Sequence, residues 1–113
     1  ERLVAFYDAF HRAALMSVAR IVAGRTGSAD QLCDDLGVHE RHRRLVHRWV
    51  AAVPAGPVPS DGELTTAWDR AEVLEKECGW SHALFGAVRA CAEQLLPLLR
   101  AEIEVDALLS PEA

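Results

Sequence analysis

The stretch SADQLCDDLGVHERHRRLVHRWVAAV, residues 28–53, decides the fold that we expect for this chain. Ser28 is a favoured N-cap residue, and Gln31 three positions later completes the sequence pattern of a capping box, so a short helix begins there. Gly37 ends that helix, because glycine readily adopts the left-handed backbone found at helix ends. A second amphipathic helix begins two residues later and stops before Pro54. Two helices joined by a tight turn are the pattern of a helix-turn-helix.

Helical periodicity continues outside this stretch, since apolar residues recur every three or four positions through most of the chain. A long first helix is predicted over 2–23, and a fourth over 60–79. A fifth is predicted over 81–96, where Pro97 breaks or kinks it because proline lacks an amide donor. A short sixth helix is predicted over 98–110.

The segment PAGPVPSDG, residues 54–62, occupies the place where a winged helix carries its β-hairpin. Its three prolines cannot donate to a strand ladder, so they disfavour a hairpin. The segment leads into the fourth helix, because Glu63 stands three residues after Ser60 as in a capping box. We therefore expect an all-α fold of five to six helices, with a helix-turn-helix (degenerate winged-helix-like) core and a vestigial or absent wing.

The largest apolar side chains are expected to form the core. They are Phe6, Tyr7, Phe10, Trp49, Trp68, Leu84 and Phe85. Leu45 is assigned with Val46 to the buried stripe of the third helix. The apolar stripe of the first helix is wide, so part of it can serve a partner helix or a neighbouring domain.

Length and composition indicate one globular domain. The chain has 113 residues, of which 50% are hydrophobic and 26% charged, and this suits a single modest core. Cys33, Cys78 and Cys91 are odd in number and lack C-x-x-C spacing, which favours a reduced, cytoplasmic setting. No apolar run approaches the roughly 20 residues that cross a bilayer, so no membrane partner is expected. The chain opens on Glu1 rather than Met, and we expect a piece of a longer polypeptide.

Charge is distributed unevenly, and this bears on what the helix-turn-helix does. Residues 39–48 carry four Arg against one Glu, whereas residues 61–79 carry six acidic against two basic side chains. The whole chain has a net charge of −5. Nucleic-acid binders of this size carry an excess of Lys and Arg that neutralises phosphates. The acidic remainder of this chain would repel a polyanion, which argues against DNA.

Arg41, Arg44 and Arg48 are the candidate site residues, because they share one face of the third helix. Arginines at the start of the second helix of a helix-turn-helix can contact guanine or phosphate in the major groove. They can equally pair with carboxylates of the same domain or of a partner protein. Since Asp34 and Asp35 stand just before this helix, we assign the three arginines to protein interaction.

No catalytic or metal-binding pattern stands out. The three histidines of the third helix, His39, His42 and His47, advance around it by too wide an angle to converge on one zinc ion. A nucleophile elbow and a Gly-rich phosphate loop are missing from the sequence. Ser81 and His82 are adjacent at a helix start, where their side chains point in different directions. We expect no catalytic residue, metal or cofactor site in this chain.

Part of residues 28–53 resembles the helix-turn-helix that precedes methyltransferase cores and that small-molecule O-methyltransferases use to dimerise. The matching residues are Ala29, Leu32, Leu36, Gly37, Val38, Arg44, Leu45 and, loosely, Trp49. Residues 74–111 are similar to the helical segment that precedes the methyltransferase core of modular polyketide synthases. Its matching residues are Cys91, Leu96, Pro97, Leu99, Glu102, Asp106, Leu108, Leu109 and Pro111. The chain departs from that pattern at Ala101 and Ala113, where a glycine is common, and at Ser110, where phenylalanine is.

The resemblance implies a non-catalytic adaptor or lid domain of a bacterial modular polyketide synthase. Such a domain would pack on an adjacent methyltransferase or acyl-loading domain and shape access for a substrate tethered to an acyl carrier protein. S-adenosylmethionine would bind in a downstream domain, because the glycine motif for it is missing here. Two alternatives stay open: a winged-helix-type DNA-binding transcriptional regulator, and the dimerisation domain of an O-methyltransferase.

Overall fold

A computed structural model describes residues 1–106 and has an all-α fold. Its six α-helices are α1 (Arg2–Val22), α2 (Ala29–Leu36), α3 (Arg43–Ala52), α4 (Asp61–Cys78), α5 (His82–Glu93) and α6 (Leu95–Leu99). One turn of 3₁₀ helix, Glu40–His42, leads into α3. No strand occurs within residues 1–106, and the segment between α3 and α4 is irregular. The predicted all-α fold class is therefore confirmed, whereas its helix-turn-helix (degenerate winged-helix-like) core stays a prediction.

The helix ends follow local capping chemistry. Ser60 opens α4 with a full capping box: its Oγ accepts from the Glu63 amide at 3.1 Å, and Glu63 Oε1 accepts from the Ser60 amide at 3.0 Å. Ser28 caps α2 through the Gln31 amide, but the predicted box there is wrong. The Gln31 side chain instead donates to Asp35 at 2.9 Å, because a hydrogen bond to a charged carboxylate is stronger than one between two neutral groups.

Two hydrophobic clusters share the long helix α1. The first cluster joins the N-terminal half of α1 to α4 and α5, and its buried members are Phe6, Ala13, Trp68, Ala71 and Phe85. The second cluster joins the C-terminal end of α1 to the α2–α3 unit and α6, and its buried members are Val22, Cys33, Val38, Val46 and Leu99. Burial raises the pKa of the Cys33 thiol. The helix-turn-helix stretch is thus held by α1 on one side and by the chain after α5 on the other.

Helix α5 ends earlier than the proline predicts. The chain turns at Gln94, and Pro97 lies inside the first turn of the next helix, α6. Proline is tolerated in a first turn because the amide that it lacks has no partner there. The predicted sixth helix over 98–110 is not continuous in its described part, because residues 100–104 are non-helical and helix resumes at residues 105–106. Ala101 has a left-handed backbone (φ 60°) directly after α6, and residues 107–110 lie outside the described part.

Two predicted core residues lie at the surface. Tyr7 is 46% exposed and Leu84 is 48% exposed, whereas Phe6, Trp68 and Phe85 are buried as expected. The faces of α1 and α5 that carry these two side chains have no neighbouring helix within residues 1–106 to cover them fully. None of the described helices has the length and apolarity to cross a membrane.

Candidate interaction face

The predicted basic helix is partly neutralised by the helix that precedes it. Arg43 Nη2 lies 2.7 Å from Asp34 Oδ1, and His47 Nε2 lies 2.8 Å from Asp30 Oδ1. The hydrogen bond from Arg43 to Asp34 raises the pKa of the Arg43 guanidinium. These two contacts join α2 to α3 along one edge, so Arg43 and His47 are already engaged within the domain.

Arg41 lies in the 3₁₀ turn before α3 rather than on α3 itself. Its guanidinium pairs with Glu104, in the segment that follows α6, and its Nε donates to His42 Nε2 at 3.2 Å. Two further hydrogen bonds join the same segment to the turn between α2 and α3. His39 N donates to the Leu99 carbonyl at 2.8 Å, and Arg100 Nε donates to the Leu36 carbonyl at 2.7 Å. Arg41 is therefore already paired with the segment that follows α6.

Arg44 and Arg48 form the remaining exposed part of the predicted site. They stand one turn apart on α3, and neither pairs with a carboxylate within residues 1–106. Leu45 lies between them in sequence and is 39% exposed, so its predicted burial is wrong. The packing direction of α3 is the reason, because Val46 rather than Leu45 faces the second cluster. We call Arg44, Leu45 and Arg48 the basic face.

The sequence did not reveal which arginines would be paired. Asp34 and Arg43 are nine residues apart and Glu104 is 63 residues from Arg41, so no local spacing announces either pair. Arg44 and Arg48 differ from Arg43 only in their position around the helix. A helical wheel that places Val46 inward would have separated them, since Arg43 then falls on the side of α2.

Glu75 is a buried carboxylate that sequence reasoning left without a role. It is 2% exposed; its Oε2 accepts from the Ser81 amide at 3.1 Å, and its Oε1 lies 3.4 Å from His82 Nδ1. The Ser81 hydroxyl is turned toward the Leu84 amide at 3.3 Å. The side chains of Glu75, Ser81 and His82 thus make hydrogen bonds at the junction between α4 and α5. There Glu75 accepts from an amide at the start of α5.

The described residues contain no group of three or more His, Cys, Asp or Glu side chains placed to hold a metal ion. The rings of His39 and His42 lie 6.3 Å apart between centroids, and His47 faces Asp30 instead.

An open groove of about 840 Å³ runs between α1 and α4. Small side chains such as Ala5, Ala9 and Ala67 line it. Two acidic and two basic side chains also line it: Asp8, Arg12, Glu63 and Arg70. Because these charges balance, the groove favours neither a cationic nor an anionic ligand.

Comparison of the chain with protein-family models, curated proteins and solved structures finds no match.

Proposed function

We propose that the chain is a non-catalytic helical docking domain whose basic face binds an acidic protein surface. The observation that carries this proposal is the contrast along α3. Arg43 and His47 are paired with α2 and Arg41 is paired with Glu104, whereas Arg44 and Arg48 are exposed and make no ion pair within residues 1–106. Leu45 adds an exposed apolar side chain beside the two arginines, as protein interfaces commonly have.

Protein is favoured over DNA by what surrounds this face. A helix-turn-helix reads DNA with the residues at the start of its second helix. Here that start is the 3₁₀ turn Glu40–His42, which contributes Glu40 and whose Arg41 is engaged by Glu104. Asp30 and Asp34 line the neighbouring edge on α2. A phosphate backbone approaching this surface would meet these carboxylates as well as the two arginines.

The partner that we propose is an acyl carrier protein, with the adjacent catalytic domain of the same polypeptide as the second docking surface. The support is the similarity of residues 74–111 to the segment before the methyltransferase core of modular polyketide synthases. In that role the domain would be an adaptor or lid beside a methyltransferase or acyl-loading domain. An acidic carrier protein would complement Arg44 and Arg48 electrostatically.

The test is a calorimetric titration that measures binding between this chain and a purified acyl carrier protein from a modular polyketide synthase. We expect Arg44→Glu/Arg48→Glu to weaken binding at least about tenfold, because each lost charge contact is replaced by a like-charge contact. The matched control is Arg2→Glu/Arg70→Glu, which changes the net charge equally at two exposed arginines outside the basic face. Equal weakening in both double variants would mean that net charge alone causes the effect. That result would overturn the assignment of the basic face to binding.

A parallel titration with duplex DNA tests the alternative that the chain is a DNA-binding transcriptional regulator. Binding to DNA that persists at about 150 mM salt and weakens steeply between about 50 mM and about 200 mM would overturn the docking proposal. Absence of carrier-protein binding by the unchanged chain would overturn the choice of partner.

A further inference from the structure

Helix α1 presents a stripe from Val4 to Leu15 that the rest of the described structure leaves partly exposed. Val4 is 54% exposed, Tyr7 46% and Leu15 44%. Further along the same helix, Val18 and Val22 continue this stripe and are covered by the second cluster. Within residues 1–106, the covering elements therefore stop near Leu15, and over three turns the face exposes Val4, Tyr7 and Leu15 together with the polar Asp8, His11 and Arg12.

Helix geometry arranges this stripe around a central line. Val4 and Leu15 are eleven residues apart, which is close to three full turns, so they lie on one line about 16.5 Å apart. Asp8 and Arg12, one turn apart, lie on one side of this line. Tyr7 and His11, also one turn apart, lie on the other side. Asp8, His11 and Arg12 are exposed, and none of them makes an ion pair within residues 1–106.

The stripe is complementary to itself when one copy is reversed. A two-fold axis through the midpoint between residues 9 and 10 places Val4 opposite Leu15 of a second copy, and Leu15 opposite its Val4. On one side it brings Asp8 to Arg12 of the second copy, and on the other it brings Tyr7 to His11. Each charged or aromatic pair is offset by one residue at most, which is about 1.5 Å along the helix axis. Two-fold interfaces have this reciprocal form: if one residue contacts a second residue of the other copy, that second residue also contacts the first residue of the other copy.

We propose that a second copy of this chain binds here, with the two α1 helices antiparallel and in contact from Val4 to Leu15. A different protein would need no symmetry in the stripe, whereas the midpoints of the apolar, charged and aromatic pairs here lie within one residue of each other. The ion pairs between Asp8 and Arg12 set the antiparallel register, and Val4 with Leu15 supply the apolar contact at both ends. This interface lies on α1 and does not depend on the proposed function of the basic face.

The test is sedimentation equilibrium of the chain from about 10 μM to about 1 mM, a range that covers dimers of modest affinity. We expect concentration-dependent dimerisation. Asp8→Arg and Arg12→Asp should each weaken it at least about tenfold, because each places two like-charge contacts across the axis. The double variant Asp8→Arg/Arg12→Asp restores both opposite-charge pairs and should dimerise within about threefold of the unchanged chain.

Mixing the two single variants provides the control for folding. In the mixture, one chain has arginine at positions 8 and 12 and the other has aspartate at both positions. Each arginine therefore faces an aspartate across the axis. The mixture should therefore form a heterodimer although each variant alone is a monomer. Thermal unfolding followed by circular dichroism verifies that both variants are folded. A chain that stays monomeric at the highest concentration, or a double variant and a mixture as weak as the single variants, would overturn the proposal.

Discussion

The indole Nε1 of Trp68 donates a hydrogen bond of 2.9 Å to the hydroxyl of Ser17, across 51 residues of sequence. Both side chains are buried, and Ser17 in turn donates to the Ala13 carbonyl at 3.0 Å. The two bonds form a polar chain inside the contact between α1 and α4. Because a buried indole N–H is costly without an acceptor, this pair selects one register of the two helices over neighbouring ones.

Removing the acceptor should destabilise the fold. We expect Ser17→Ala to lower the free energy of unfolding by about 1–3 kcal/mol, because it leaves the Trp68 N–H buried and unsatisfied. Urea denaturation monitored by circular dichroism measures this change. Thr65→Ala, an exposed substitution on α4, is the control and should stay within about 0.5 kcal/mol. Adding Trp68→Phe to Ser17→Ala should cost less than the sum of the two single changes, since the pair acts as a unit. Full additivity would contradict the coupling.

Arg25 joins the ends of two helices. Its guanidinium donates to the carbonyls of Val22 at 2.8 Å, Val50 at 3.1 Å and Val53 at 2.8 Å, which lie at the C-terminal ends of α1 and α3. A cation at these ends satisfies carbonyls that have no helical partner and also offsets the helix dipoles.

We expect Arg25→Ala to lower the free energy of unfolding by about 1.5–3 kcal/mol, the range for hydrogen bonds to a charged group. Arg25→Lys should recover only part of this, because an ammonium cannot span three carbonyls in the planar geometry of a guanidinium. Arg48→Ala, on the exposed basic face, should change stability by no more than about 0.5 kcal/mol. If Arg25→Ala and Arg48→Ala had equal effects in thermal and urea unfolding, the bridging role of Arg25 would be wrong.

The capping box of α4 should make stability depend on pH. Hydrogen bonds from the Ser60 amide and hydroxyl lower the pKa of Glu63 below its ordinary value of 4.5. A group whose pKa is lower in the folded state stabilises the fold above the unfolded pKa, and this stabilisation is lost as the pH falls through the folded pKa. The contribution of Glu63 is therefore present at neutral pH and disappears in acid, below the ordinary value.

The variant Glu63→Gln isolates this term, because the amide can still accept from Ser60 but carries no charge. We expect the Tm of the unchanged chain to exceed that of Glu63→Gln at about pH 7, and the difference to shrink as the pH falls below the ordinary pKa of 4.5. Glu77→Gln, near the C-terminal end of α4 and exposed, is the control and should show no such advantage for the acid at pH 7. A Tm difference that stays constant across this range would contradict the assigned role of the Glu63 charge.

Local chemistry accounts for the parts of the fold that the sequence predicts well. The start of α4 at Ser60 and the ends of α2 and α4 at Gly37 and Gly79 depend only on neighbouring residues, and all three agree with the structure. The end of α5 does not, because Pro97 is compatible both with a break and with the first turn of α6. Which of the two occurs depends on burying Leu99 in the second cluster, a tertiary event.

The candidate site, like the fold, could be predicted from the sequence only in part. The amphipathic pattern placed Arg44 and Arg48 on an exposed face of α3, and the structure agrees. That Arg41 is engaged could not be predicted, because its partner Glu104 is distant in sequence. The exposure of Tyr7 has the same origin: periodicity indicates an apolar stripe, but the number of helices available to cover it is set by packing.

Two glycines should respond to alanine in opposite directions. Gly37 ends α2 with φ 70°, a left-handed backbone that costs alanine about 1–2 kcal/mol, so Gly37→Ala should destabilise the chain by roughly that amount. Gly86 lies inside α5, and a Cβ added there meets no atom within 4 Å. Gly86→Ala should therefore stabilise the chain by about 0.5–1 kcal/mol, because alanine loses less backbone freedom on entering a helix. Because both changes add the same methyl group, urea unfolding of the pair separates backbone conformation from side-chain burial. Destabilisation by Gly86→Ala would mean that α5 packs more closely at this position than the structure shows.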